Sequence, residues 1–238
     1  ANFLESDENK LAAGIAKHLA NSIISAQEDV ISFAKNFFIQ GSIGNGKTHL
    51  IQAIANEVKT RSGLKVLYTT AERFLFNFQT AVKNNTNVDF IKEFIGVKLL
   101  VIDDIHFVAS KKKTMEEIQR VSYSVMSDGG FVIFASSGLA SSLMIENEKV
   151  KNFLCSSYTI KLPNPSEDFR YKLLKFKLSS SSYKVSDAML RTLAFKINSS
   201  IRELEGSLAR MVLHSQILNY EVDLESTKFI TTDIFPHK

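Results

Sequence analysis

The stretch GSIGNGKT, 41–48, constrains this chain more than any other part of it. Gly41, Gly46, Lys47 and Thr48 stand at the spacing G-x-x-x-x-G-K-[ST]. Glycines let the backbone take positive φ, so successive N–H groups can converge on an anion. Lys47 offers a point charge to β- and γ-phosphates, and Thr48 offers a hydroxyl to Mg2+. The pattern means this only between a strand and a helix. FFIQ (37–40) is an apolar run before it, and Leu50, Ile51, Ile54, Ala55 and Val58 follow at helical spacing. The helix N-terminus then adds its dipole to the site. The plainer alternative is a glycine-rich turn beside an unrelated lysine, and the flanking strand and helix weigh against it.

A second motif points the same way. LLVIDD (99–104) is an apolar strand that ends in two acids. Ligands sit at the C-terminal edge of such strands in parallel sheets. Asp103 can hold Mg2+ directly or through water, since the ion prefers oxygen ligands and keeps waters. Asp104 can orient or activate an attacking water. Two acids after a strand more commonly cap a helix. Placed after a P-loop with one strand between, they read as the Walker B pair. FVIFASS (131–137) is a further apolar strand, and it could present Ser136 or Ser137 to a γ-phosphate; a plain strand-to-loop transition explains it equally. In SSIRELEG (199–206), Ser199 or Ser200 can cap a helix. Arg202 then falls in the first turn, where a cation opposes the helix dipole. A charge in an unfavourable place suggests another duty, such as reaching a nucleotide, against the alternative of a solvated arginine.

Composition narrows the class. A chain of 238 residues has room for a real core in one or two domains. No apolar run approaches the roughly 18 residues of a membrane span, and no signal peptide is visible. Cys155 is the single cysteine, too few for a disulfide framework or a zinc site, which suits a cytoplasmic protein. A net charge of +4 is compatible with nucleic acid without being diagnostic.

Pro163 and Pro165, in KLPNPSED (161–168), mark a boundary. Before them FFIQ, KVLYTT, KLLVID, FVIFAS and YTIKL read as strands alternating with helices. After them EDFRYKLLKFKLS, SDAMLRTLAFKI and SSIRELEGSLARMVLHSQIL read as helices. SSSS (179–182) reads as a loop. The expected architecture is α/β: a three-layer domain with a parallel sheet over 1–163, then a small all-α bundle, or lid, over 164–238.

These motifs together resemble a family. GSIGNGKTHLIQAIANEV, KVLYTTAERFLFNFQTAVKNN (65–85), LLVIDDIHFVASKKKTMEEI (99–118) and SSIRELEGSL (199–208) resemble the AAA+ ATPase domain of the bacterial replication initiator DnaA. NFLESDENKLAAGIAKHLANS (2–22) is similar to the segment before the P-loop in that family. The resemblance runs from about residue 2 to about residue 234. AERF and IDDI-x-F are its more specific parts, because unrelated ATPases share the P-loop. It implies a P-loop AAA+ domain that binds ATP or ADP with Mg2+. Nucleotide contacts would come from Gly41, Ile43, Gly44, Asn45, Gly46, Lys47, Thr48 and His49, with Arg202 as sensor 2. Thr48 and Asp103 would hold the metal, and Lys47 and Asp104 would take the catalytic roles. ATP would bind between the two domains, with Arg202 coupling the γ-phosphate to the angle between them. The family also implies partners: origin DNA, including single strands, copies of the chain itself in the ATP state, and replication proteins. The positions matching its single-strand contacts are Leu75, Lys111 and Lys113. SKKKT (110–114) is a basic cluster suited to phosphate neutralisation, with a solvated lysine turn as the plainer account.

Three features depart from the family pattern. Ser137 stands where sensor 1 usually carries an aspartate. Phe153, in VKNFL (150–154), stands where an arginine finger would reach the neighbouring subunit, and no arginine occurs between Arg120 and Arg170. Lys149 or Lys151 could substitute, but a point charge on a flexible stem copies a guanidinium fork poorly. The family's helix-turn-helix domain does not fall within these residues. The expectation is therefore the ATP-binding module of an initiator with weak ATPase activity. The alternatives are a DnaA-like regulatory paralogue without the duplex-binding domain, an AAA+ helicase loader, or an interaction module with a vestigial P-loop.

Overall fold

The computed structural model describes residues 3–25, 34–179 and 185–218. The chain divides into two compact units: Ala1–Gly41 with Lys47–Leu162, and Ser42–Gly46 with the chain from Pro163 onward.

In the first unit the strands are Asn36–Gln40 (β1), Val66–Thr70 (β2), Leu99–Asp103 (β3), Phe131–Ser136 (β4) and Tyr158–Lys161 (β5). They form one parallel sheet in the order β2-β3-β4-β1-β5. These are the runs expected as strands, each within one residue at its ends. β3 and β4 are buried along their whole length, which is why they read as unbroken apolar runs. Side chains alternate between the two faces of the sheet. Phe38, Leu100, Ile102, Val132 and Phe134 pack with Phe74, Phe90, Met115, Ile118 and Phe153. Phe37, Ile39, Leu99, Val101 and Ile133 pack with Leu19, Leu50, Ile51 and Ile54. The second set brings Lys10–Ser25 (α1) and Lys47–Ser62 (α2) onto one face. The first brings Ala71–Lys83 (α3), Asn87–Lys92 (α4), Lys112–Ser127 (α5) and Glu148–Cys155 (α6) onto the other. The result is the three-layer α/β arrangement.

Local chemistry starts the helices. The Thr70 side chain accepts from Arg73 N at 3.2 Å and opens α3 directly at the end of β2. Asn147 does the same for α6, accepting from Lys149 N at 3.0 Å. Because the sheet is parallel, Gly41, Asp103 and Ser136 all lie at its C-terminal edge. Gly41 N donates to Ser136 O at 3.4 Å, and Leu162 N donates to Gln40 O at 2.7 Å, so β1 is tied on both sides where the P-loop leaves it.

The second unit contains Glu167–Leu178 (α7), Asp187–Lys196 (α8) and Ile201–Leu218 (α9). Serines cap all three: Ser166 accepts from Phe169 N, Ser186 from Met189 N, and Ser200 from Glu203 N, each within 3.3 Å. Leu174, Met189, Leu190, Leu193, Leu204, Leu208 and Met211 form its core. Arg170 is buried and donates to Ala194 O at 2.8 Å and Pro165 O at 2.6 Å, holding the start of α7 against the end of α8. Of the serine run 179–182, Ser179 sits in a turn and the rest lies outside the described residues. No helix among the described residues is long and apolar enough to cross a membrane.

Candidate nucleotide-binding site

The P-loop links β1 to α2, and its glycines are where the backbone needs them. Gly44 and Gly46 hold φ of +76° and +90°, the left-handed region that side chains disfavour. At Gly41 a Cβ would stand 3.0 Å from both Leu162 Cβ and Leu162 O, a tight fit that favours glycine there. Helix α2 begins at Lys47. Its ammonium is buried and donates to Gly41 O at 2.8 Å, which keeps the charge inside the loop.

At the edge of the sheet, hydrogen bonds converge on Asp103, a carboxylate buried at the end of β3. Its Oδ2 accepts from Thr48 Oγ1 at 2.8 Å and from Tyr68 OH at 2.9 Å. Its Oδ1 accepts from Asp104 N at 2.9 Å. Burial, then the Asp103 charge, push the Tyr68 phenol up to about 12, so it stays a neutral donor. Among the described residues no group of three or more His, Cys, Asp or Glu could hold a metal. A hydroxyl and one buried acid are nonetheless the donor set Mg2+ uses when phosphates and waters complete its shell. These residues fit a Mg2+–nucleotide.

Asp104 takes the left-handed conformation, φ +55°, and begins a 3-10 turn over Ile105–Val108. Its side chain makes no capping hydrogen bond there, so the commoner reason for a second acid does not apply. Its carboxylate lies 4.0 Å from His106 Nδ1. Ser136 is fully buried, and its Oγ accepts from Gly138 N at 3.1 Å, which closes the loop after β4 on itself. Ser137 is half-buried. Ile43 is 69% exposed. His49 is exposed and its ring lies 5.9 Å from that of Phe3.

In the second unit the tip of the loop is held by its own variable positions. Asn45 Nδ2 donates to Asn164 Oδ1 at 2.8 Å and Pro163 O at 3.3 Å, and Ser42 Oγ donates to Asn164 Oδ1 at 2.7 Å. Ile201 N donates to Gly44 O at 3.1 Å. Arg202 follows, exposed in the first turn of α9.

Other expected residues are placed less simply. Lys111 and Lys113 are exposed at the start of α5. Leu75 is half-buried and packs against the core, while its neighbour Phe76 is 67% exposed. Phe153, at the expected finger position, is 6% exposed, with its ring 6.0 Å from Phe134 and 4.9 Å from Tyr123. It is a core residue of its own unit: on α6, Val150, Phe153 and Leu154 share the inward face. Lys149 is exposed and Lys151 half-buried on the same helix.

Tyr68 and Asn164 were not expected from the sequence, nor was the approach of Ser200 to Gly44. Each acts across strands or across a long stretch of chain, and no local spacing signals that.

The comparisons with known proteins bear on the family and the fold. The family model described as the bacterial DnaA ATPase domain matches residues 1–160. The chromosomal replication initiator protein DnaA of Rickettsia canadensis is 30% identical over 234 residues, covering 98% of this chain and 50% of that protein. The chain thus spans about half the length of the curated relatives it matches. Domain III of the Thermotoga maritima replication initiation protein DnaA shares the fold, with a TM-score of 0.88 at 23% identity over 99% of this chain and 96% of that one. A replication initiator DnaA bound to AMPPCP and single-stranded DNA gives a TM-score of 0.77 at 26% identity, over 88% of this chain and 63% of that one.

Proposed function

The chain belongs to the bacterial DnaA ATPase domain family, and from that membership we propose that it is the ATP-binding switch module of a DNA replication initiator. The observation that carries this is the 2.8 Å hydrogen bond from Thr48 to Asp103, which joins the P-loop helix to the Walker B strand. Gly41, Ile43, Gly44, Asn45, Gly46, Lys47, Thr48 and His49 are the proposed contacts to ATP or ADP, with Arg202 as the sensing residue of the helical unit. Thr48 and Asp103 are the proposed holders of Mg2+. When bound, that ion neutralises charge on the phosphate oxygens. Lys47 would exchange the Gly41 carbonyl for phosphate, and Asp104, not engaged in capping, would orient the attacking water. Hydrolysis is slow in this proposal, and ATP and ADP forms differ in what they bind, as a population shift between two states.

The proposed partner is origin DNA, including single strands. Support comes from the exposed Lys111 and Lys113 and from the related structure that carries single-stranded DNA. Assembly with further copies in the ATP state, contact with other replication proteins and a cytoplasmic location complete the proposal. One observation favours a second reading, a regulatory relative that binds nucleotide without assembling: Phe153 is packed in the core where a finger reaching a neighbour would be expected.

Sedimentation velocity with ATP–Mg2+ or ADP–Mg2+, each with and without a single-stranded oligonucleotide, separates the two. Larger species with ATP support the initiator module; a monomer that still binds ATP supports the regulator. Lys47→Ala should abolish nucleotide binding, and retained ATP affinity would refute the phosphate cradle.

A further inference from the structure

We propose that Tyr68 is a positioning residue for the metal side of this site, an inference that rests on the Mg2+–ATP reading above. The parallel register pairs Thr70 with Asp103 and Tyr68 with Val101, so Tyr68 sits one inward step back from the acid. Its ring packs on the core beneath α2. Its hydroxyl reaches forward and donates to Asp103 Oδ2 at 2.9 Å.

The acceptor count of Asp103 gives this contact its meaning. A carboxylate has about four acceptor directions. Two on Oδ2 take Thr48 and Tyr68, and one on Oδ1 takes Asp104 N. The remaining direction belongs to Oδ1, so that oxygen is the one presented to the ion or to a water on it. Thr48 keeps a lone pair for the metal while its hydroxyl proton points at Oδ2. Tyr68 therefore fixes how the carboxylate is turned. Without it, Asp103 is held by Thr48 and by the N–H of Asp104, a residue in the left-handed conformation. β2 is half-buried along its length, and Tyr68 turns its hydroxyl to the buried acid. A hydrogen bond of this kind orients a metal ligand.

The test is calorimetric titration of ATP into the wild type and Tyr68→Phe, in excess MgCl2 and again in EDTA. In EDTA the two should agree within about twofold, while the gain in affinity on adding Mg2+ should shrink by about tenfold or more in the variant. An equal loss in both buffers would mean a structural role and would overturn the proposal, as would an unchanged Mg2+ gain. A wild type with no Mg2+ gain removes the parent reading, and this one with it, without reference to the variant. In an Asp103→Asn background, Tyr68→Phe should cost no further Mg2+ gain; additive losses would overturn the proposal even if the single variant were weakened in its fold.

Discussion

Gly44 and Gly46 allow a paired test of how the P-loop tip is held in the helical unit. Both have positive φ, so alanine at either costs about 1–2 kcal/mol in backbone strain. The surroundings differ. At Gly46 an added Cβ meets nothing within 4 Å; at Gly44 it would stand 2.5 Å from Ser200 Cβ and 3.0 Å from Ser200 Oγ. Ser200 cannot simply swing aside. Its Oγ caps α9 through Glu203 N at 3.1 Å, and the next residue donates to Gly44 O at 3.1 Å. Overpacking of this kind costs about 1–3 kcal/mol. Gly46→Ala should therefore lose about 1–2 kcal/mol and Gly44→Ala about 2–5 kcal/mol. Ser200→Gly alone should cost only a few tenths, roughly, because glycine serves at a cap. In the double variant Gly44→Ala/Ser200→Gly the clashing atoms are gone, so the excess over strain should vanish. Urea unfolding without nucleotide, followed by circular dichroism, measures each loss, and amide exchange in α9 assigns it to the helical unit. Equal losses at the two glycines, or no recovery in the double variant, would refute the contact.

Phe153→Ala should cost about 3–5 kcal/mol as a buried aromatic truncation, and Phe153→Arg should destabilise at least as much without raising ATPase activity, because the charge would enter the core; a stable, more active Phe153→Arg would contradict its placement. Replacing Lys111 and Lys113 together by alanine should weaken single-strand binding and flatten the slope of log K against log salt by about 1.4, and an unchanged slope would rule both out as phosphate contacts. Asp187 is held below the usual carboxylate range, chiefly by the Tyr171 hydroxyl and then by Lys175 and Arg191. A depressed carboxyl stabilises the fold above its unfolded pKa, about 4, and the contribution is lost as pH falls through the folded value. Asp187→Asn should thus lower the urea midpoint at pH 7 by more than at pH 3, and a constant difference would refute the linkage.

Much of the fold was legible because it is written in local periodicity. β3 and β4 are buried on both faces and carry no polar residue before their ends, which is why LLVID and FVIFA read as interior strands. Helical spacing of apolar residues announces α7, α8 and α9, and the Ser200 cap marks the start of the last. The helices between β2 and β5 were harder to see, because their apolar faces become evident only once the sheet they cover is known. Phe153 shows the limit of matching positions without packing: it lies on an amphipathic helix, where a shift of one residue turns a side chain through about 100°, and it faces the core.

The P-loop and Walker B patterns are legible in sequence alone, because each is a set of residue types at fixed separation along a chain whose local form those same residues dictate. Tertiary structure decided what surrounds them. The strand order puts Tyr68 beside Asp103 and not on some other edge. Asn164 meets Ser42 and Asn45 across more than a hundred residues of chain. Ser200 comes to rest on Gly44. Such contacts depend on which buried faces find each other in space, a choice made by the whole core at once and not by any short stretch.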